Sequence, residues 1–179
     1  KGIGWEIKPE MLSVLPYAVE QNEAGEWVAV EDFDGLKQYT TWKFDLRTDL
    51  KWANGDAMNA NDFIYTYKLV LDPVLNMKRA NYFYGGSAPI KGAKDYFDGK
   101  TTDWATVGIK QVDDYSFVFE YANALKLWDV EYNMSGFLYT PVHKATWEAN
   151  IAADGTPKYG TSMESYMASG AYTISYWEK

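Results

Sequence analysis

The chain has 179 residues, enough for one domain burying about 70% of the surface its unfolded form exposes. It contains no cysteine and a single histidine, His143, which removes disulfides, thiol nucleophiles, cysteine-based zinc sites and any imidazole cluster. Lys and Arg number 17 against 25 Asp and Glu, and the net charge of −8 argues against nucleic acid or an anionic membrane as partner, since both attract basic surfaces.

No window approaches the length of a membrane-spanning apolar run. The sequence starts at Lys1 with neither an initiator methionine nor an apolar leader, and reads as a processed protein or an excised piece. Residues 1–15 lack strong periodicity. The first strand is predicted over residues 26–30 (Glu-Trp-Val-Ala-Val) and the second over 39–47. In the second, Trp42, Phe44 and Leu46 share one face while Thr41, Lys43, Asp45 and Arg47 share the other, the period of a half-buried strand. Asp34-Gly35 between them predicts that these two strands pair antiparallel through a modest loop.

Asn54-Gly55 marks a turn, and a helix follows from Asn59. Asn59 is placed to cap it, Asp62 sits near the positive end of its dipole, and Phe63, Tyr67 and Val70 recur at helical spacing. Asp72-Pro73 ends it, because the residue before proline is pushed out of the helical region. Residues 78–86 are aromatic and glycine-rich, and a short helix is predicted within 90–97. Two alternating runs, 107–112 and 115–121, flank Asp113-Asp114 and predict a β-hairpin. Residues 124–132 and 141–150 read as helices, 155–160 as a loop, and the alternating run 171–177 as a last strand. Strands and helices are interspersed, with hairpins in place of regular βαβ units. The fold class is therefore α+β, a mixed and largely antiparallel sheet with packed helices.

Catalytic and metal-binding patterns are weak. Asn54, Asp56, Asn59, Asn61 and Asp62 are the side chains of a turn and a capped helix, and they lack the alternating spacing and terminal glutamate of a calcium loop. A Ser-His-Asp arrangement would have to use His143, and no Gly-x-Ser-x-Gly elbow occurs. Gly85-Gly86-Ser87 lacks a phosphate-loop lysine and reads as a turn. What remains is aromatic density: 8 Trp, 15 Tyr and 8 Phe, most of them expected in the core. The exception is Asn81-Tyr82-Phe83-Tyr84-Gly85-Gly86, where aromatics with polar tips enter a glycine turn and can read a peptide or a sugar.

From Thr41 to Tyr67 the sequence resembles the oligopeptide- and dipeptide-binding proteins of ABC importers, the extracellular solute-binding proteins of family 5. The matching positions are Leu46-Arg47, Lys51-Trp52 with Gly55, Ala60-x-Asp62 with Tyr65 and Tyr67, and Asp72-Pro73. Ala57-Met58 departs from the small polar or proline residue many members carry there. Further blocks agree in order: Leu15-Pro16-Tyr17-Ala18-Val19-Glu20 more weakly, then Val112-Asp113-Asp114-Tyr115-Ser116-Phe117 and Ser169 to Trp177.

The resemblance implies a subdomain of a periplasmic-binding-protein-like class II fold. Residues 12–140 would form the small subdomain of the first lobe and 141–179 a return segment into the main lobe, with hinge and second lobe absent from this chain. It implies capture of oligopeptides outside the membrane, no enzymatic activity, no catalytic residues, no metal and no cofactor. Partners would be the peptide, ABC permease subunits, and a membrane only through a lipid anchor this chain lacks. The location would be extracytoplasmic, in the periplasm or on the surface as a lipoprotein. Tyr84 aligns with a tyrosine that lines the peptide cleft in some members, with Phe83 and Gly85 as neighbours. Trp52, Gly55, Asp62 and Tyr65 are expected to be structural, and most of the cleft would belong to the missing parts. Aromatics plus carboxylates leave one alternative, a carbohydrate-binding module or a glycosidase.

Overall fold

A computed structural model describes residues 7–136, 139–170 and 172–178. Its sheet contains β1 (Tyr17–Gln21), β2 (Trp27–Ala29), β3 (Tyr39–Asp45), β4 (Ile109–Asp113) and β5 (Ser116–Leu125) in the order β2-β1-β3-β5-β4, every pair antiparallel. Around it lie α1 (Ala60–Val70), α2 (Asn81–Tyr84), α3 (Ala93–Phe97), α4 (Leu127–Met134) and α5 (Lys144–Ala149).

The expected pairing of β2 with β3 does not form. The unpredicted strand β1 lies between them, with Val19 opposite Ala29 on one side and Tyr17 opposite Lys43 on the other. The reason is local. Asn22 Oδ1 accepts from the Ala24 and Glu26 N–H groups at 3.0 and 2.9 Å and closes a tight β1–β2 hairpin. That short closure costs less chain entropy than the longer route through Asp34-Gly35. Asp34 Oδ1 instead accepts from the Leu36 and Lys37 N–H groups, turning the chain over to the far side of β1.

The alternation read in β3 is realised: Trp42, Phe44 and Leu46 are buried, the residues between them less so. Helix α1 begins as expected. Asn59 Oδ1 accepts from the Asn61 N–H at 2.9 Å, and Asp62 Oδ2 accepts from the Asn59 N–H at 3.1 Å, a reciprocal capping box. Its Phe63 and Tyr67 face the sheet, where Phe63 stacks on Phe117 at 5.5 Å and Tyr67 meets Phe119 edge-on at 5.4 Å. Phe44 lies 5.1 Å from both Phe117 and Phe119. Much of the aromatic excess thus fills one layer between α1 and strands β3 and β5, in the offset and edge-on arrangements that ring quadrupoles favour. The β4–β5 hairpin forms about Asp113-Asp114, and Asp113 Oδ1 accepts from the Tyr115 N–H at 2.8 Å.

The ends differ from expectation. The N-terminal segment docks by an isolated bridge between Leu12 and Leu46 and by the Arg47 N–H donating to the Met11 carbonyl. The strand predicted over 171–177 is not one: Ala171 lies outside the described residues, and Tyr172 to Trp177 carry no strand pairing, with Tyr172 89% and Tyr176 74% exposed. Alternating side chains make a strand only where a neighbour takes up the backbone hydrogen bonds, and no described strand lies beside this run.

Candidate functional site

The sequence-predicted site is a one-turn helix, α2, closed by the Gly85 N–H donating to the Asn81 carbonyl at 2.8 Å. A Cβ on Gly85 would sit 2.8 Å from that same oxygen, so the turn requires glycine. Phe83 and Tyr84, adjacent in sequence, leave this turn on different errands. Phe83 is fully enclosed, its ring 5.5 Å from Tyr67 and 4.9 Å from Tyr139, and its carbonyl accepts from the Ile90 N–H. It is a packing residue in this structure, out of reach of any ligand.

Tyr84 is half-buried. Its ring leans on Phe97 of α3 at 5.2 Å, and Lys94 Nζ stands 5.2 Å from the ring centre. Lys94 is itself paired with Asp98, and this hydrogen bond holds the Asp98 carboxyl below the usual carboxylate range. The Tyr84 ring is thereby held from two sides. Its hydroxyl makes no hydrogen bond among the described residues.

A second feature was not predicted. A cleft of about 560 Å³ opens between the N-terminal segment, the end of β3 and the C-terminal turn of α4, floored by Leu12, Leu46, Phe63 and Phe117. Arg47, Glu131 and Tyr139 border it. Arg47 is occupied, donating from Nε and Nη2 to the two Asp49 oxygens at 2.9 and 2.7 Å and from Nη1 to the Glu10 carbonyl at 3.0 Å. Burial pushes the Tyr139 phenol up to about 12 and raises the Glu131 carboxyl. Tyr139 joins the two features, bordering the cleft while its ring packs on Phe83. The α4 side of the cleft is made by Glu131, Met134 and Ser135, whose three- and four-residue spacing puts a carboxylate on a helix face that also carries an apolar side chain.

The catalytic and metal candidates resolve into structural roles. His143 is 8% exposed and caps α5, its Nδ1 accepting from the Thr146 N–H at 3.3 Å, which leaves Nε2 to donate to Asp56 Oδ2 at 3.1 Å. Its ring packs on Trp52, and no serine hydroxyl hydrogen-bonds to it among the described residues. The amide and acid cluster spends its oxygens internally: Asn54 Nδ2 donates to Asp56 at 2.6 Å, and Asp62 takes the Asn59 N–H and the Trp52 Nε1–H.

Comparison with known proteins agrees with this architecture. The sequence model of the bacterial extracellular solute-binding proteins, family 5 (middle), matches residues 24–179. The periplasmic oligopeptide-binding protein OppA of Haemophilus influenzae is 35% identical over 95 residues, 53% of this chain and 17% of that protein. Its namesake in Escherichia coli is 27% identical over 187 residues, 96% of this chain and 32% of that protein. The crystal structure of the Haemophilus influenzae OppA complex with RPPGFSPFR superposes with a TM-score of 0.62 at 26% identity, over 94% of this chain and 30% of that one. The chain spans about a third or less of the length of these relatives. It has the antiparallel sheet and packed helices of a periplasmic-binding-protein-like fold, and it belongs to family 5 of the bacterial extracellular solute-binding proteins.

Proposed function

We propose that this chain is part of the substrate-binding component of an ABC importer that captures oligopeptides outside the membrane for uptake. The observation that carries the reading is the family match across residues 24–179, together with relatives named as oligopeptide-binding proteins. Capture needs no bond to break. Main-chain hydrogen bonds hold an extended peptide, and roomy apolar surfaces accept its side chains. Within this chain, Tyr84 is the ligand contact: a ring braced by Phe97 and Lys94 with its hydroxyl free to turn towards a peptide carbonyl. Gly85 closes the turn that presents Tyr84, and Phe83 buttresses the pair from the core.

Residues 12–140 act as the small subdomain of a first lobe, and 141–179 lead back into the main lobe. The exposed alternating run 172–177 supports this division, because it is patterned to enter a sheet supplied by a longer protein. The partners are a peptide and the permease subunits of the importer. The location is extracytoplasmic, in the periplasm or on the cell surface behind a lipid anchor outside this chain. No helix among the described residues is long and apolar enough to cross a membrane.

The test is to purify the longer protein that carries this chain without denaturant and identify what co-purifies by mass spectrometry. Peptides of mixed sequence are expected. Oligosaccharide without peptide would overturn the reading in favour of a carbohydrate-binding protein.

A further inference from the structure

Along α4 and its last turn, Trp128 is three and four residues from Glu131 and Tyr132, and Ser135 is four and three residues beyond them, so the four project from one side. Trp128 is 52% and Tyr132 68% exposed, and neither ring stacks on another ring or a cation among the described residues. Glu131 lies beside them on this face, half-buried, with no hydrogen bond or ion pair among the described residues. Its neighbours are accounted for: Asp129 accepts from the Lys126 N–H at 3.1 Å, Ser135 Oγ donates to the Tyr132 carbonyl at 2.8 Å, and Arg47 is held by Asp49 and Glu10. Glu131 and Ser135 both border the 560 Å³ cleft.

A partly desolvated carboxylate without a cation is costly, and burial alone raises its proton affinity here. Two exposed aromatic faces beside a carboxylate are complementary to a cation on an apolar stem: the rings attract the charge through their quadrupoles, the stem covers apolar surface, and the carboxylate completes the ion pair.

We propose that the Trp128–Glu131–Tyr132 face of α4 is a subsite for the basic side chain, Arg or Lys, of a peptide lying in the adjoining cleft. This deepens the oligopeptide reading and rests on it. The subsite gives the longer protein a preference for basic peptides that this chain's net charge of −8 reinforces at long range.

The experiment is calorimetric titration of the longer protein with four length-matched peptides: one containing Arg, the same peptide with Gln in its place, and the N-acetylated form of each. The variants are Glu131→Gln, Trp128→Ala and, as a control on the remote β1–β2 turn, Glu23→Gln. Wild type is expected to favour the Arg peptide. Glu131→Gln should weaken it by roughly ten-fold or more, the worth of a charge-assisted hydrogen bond, and leave the Gln peptide within about two-fold. Trp128→Ala should weaken the Arg peptide selectively and to a smaller extent, and Glu23→Gln should change nothing. If Glu131→Gln does not fold, the Trp128→Ala selectivity decides alone. Equal losses for Arg and Gln peptides, or no loss, overturn the subsite while peptide binding stands. If acetylation and not Arg→Gln abolishes the Glu131 effect, the cation is the peptide's α-ammonium and the side-chain assignment is overturned. A wild-type protein that binds none of the four overturns the oligopeptide reading as well.

Discussion

Replacing Phe83 by alanine separates packing at α2 from the binding role proposed for it. Phe83 has no exposed surface, and its ring lies against Tyr67 at 5.5 Å and Tyr139 at 4.9 Å. Truncating an enclosed phenylalanine removes its transfer energy and leaves a cavity that rigid aromatic neighbours cannot fill, a loss of about 3–5 kcal/mol. A domain of this kind is stable by only about 5–15 kcal/mol, so the loss is a large share of the total. At roughly 2–4 °C per kcal/mol for a chain of this length, the melting temperature should fall by about 6–20 °C. Tyr84→Phe, one residue on, removes only a hydroxyl with no partner and should change stability by less than about 0.5 kcal/mol. The assay is urea unfolding of the chain followed by the fluorescence of its 8 tryptophans and by far-ultraviolet circular dichroism. A loss below about 1 kcal/mol for Phe83→Ala would refute the core placement, and with it the assignment of Tyr84 alone as the ligand-facing ring.

Asn59→Ala should cost about 1 kcal/mol, because the Asn61 N–H then loses its cap; a change below 0.3 kcal/mol in the same unfolding assay would contradict the capping box (~1 kcal/mol is the usual worth). Gly92→Ala should be far worse than an ordinary loop substitution, since its φ is +71° and a Cβ would lie 2.2 Å from the Thr106 carbonyl oxygen; expression as soluble, cooperatively melting protein would be the contrary result. Burial holds the Tyr139 phenol up to about 12 and those of Tyr67 and Tyr121 well above their ordinary value. The unfolded chain therefore releases these protons first, near pH 10, so stability is intact below that and falls as pH rises towards and beyond 12. Phenolate absorbance at 295 nm should show a late class of tyrosines ionising together with loss of circular dichroism. At the acid end, desolvation is outweighed at Asp113 by the hydrogen bond from the Tyr115 N–H and the nearby charge of Lys43, so its carboxyl is held below the usual range. Its contribution is present above about pH 4 and lost as pH falls through the folded value, so wild type should lose melting temperature on acidification more steeply than Asp113→Asn.

Local chemistry made part of this fold legible in the sequence. The capping pair Asn59 and Asp62, the alternation through Trp42, Phe44 and Leu46, and the Asp113-Asp114 turn each act within a few residues, and each appears where expected. Strand order was not legible, because β1 has no clean alternation: Ala18 and Val19 are both buried, one on each face. The run 171–177 shows the opposite case, a clear strand pattern without a described neighbour to pair with. At the site, the cluster around Tyr84 could be picked out by composition. Which of two adjacent rings faces inward depended on the rotation of one helical turn, set by Gly85 against Asn81. The cleft beside Glu131 was invisible because it is built from segments far apart in sequence, 7–16 on one side and 131–136 with Tyr139 and Thr140 on the other.

Side-by-side calorimetric titration of one oligopeptide mixture into the longer protein and into this chain alone tests the oligopeptide assignment most directly. Saturable binding to the longer protein with none to the 179-residue chain is predicted, since the chain spans only about a third of the length of its relatives. Micromolar binding to the chain alone would show the site misplaced, and no peptide binding to the longer protein would contradict the assignment itself.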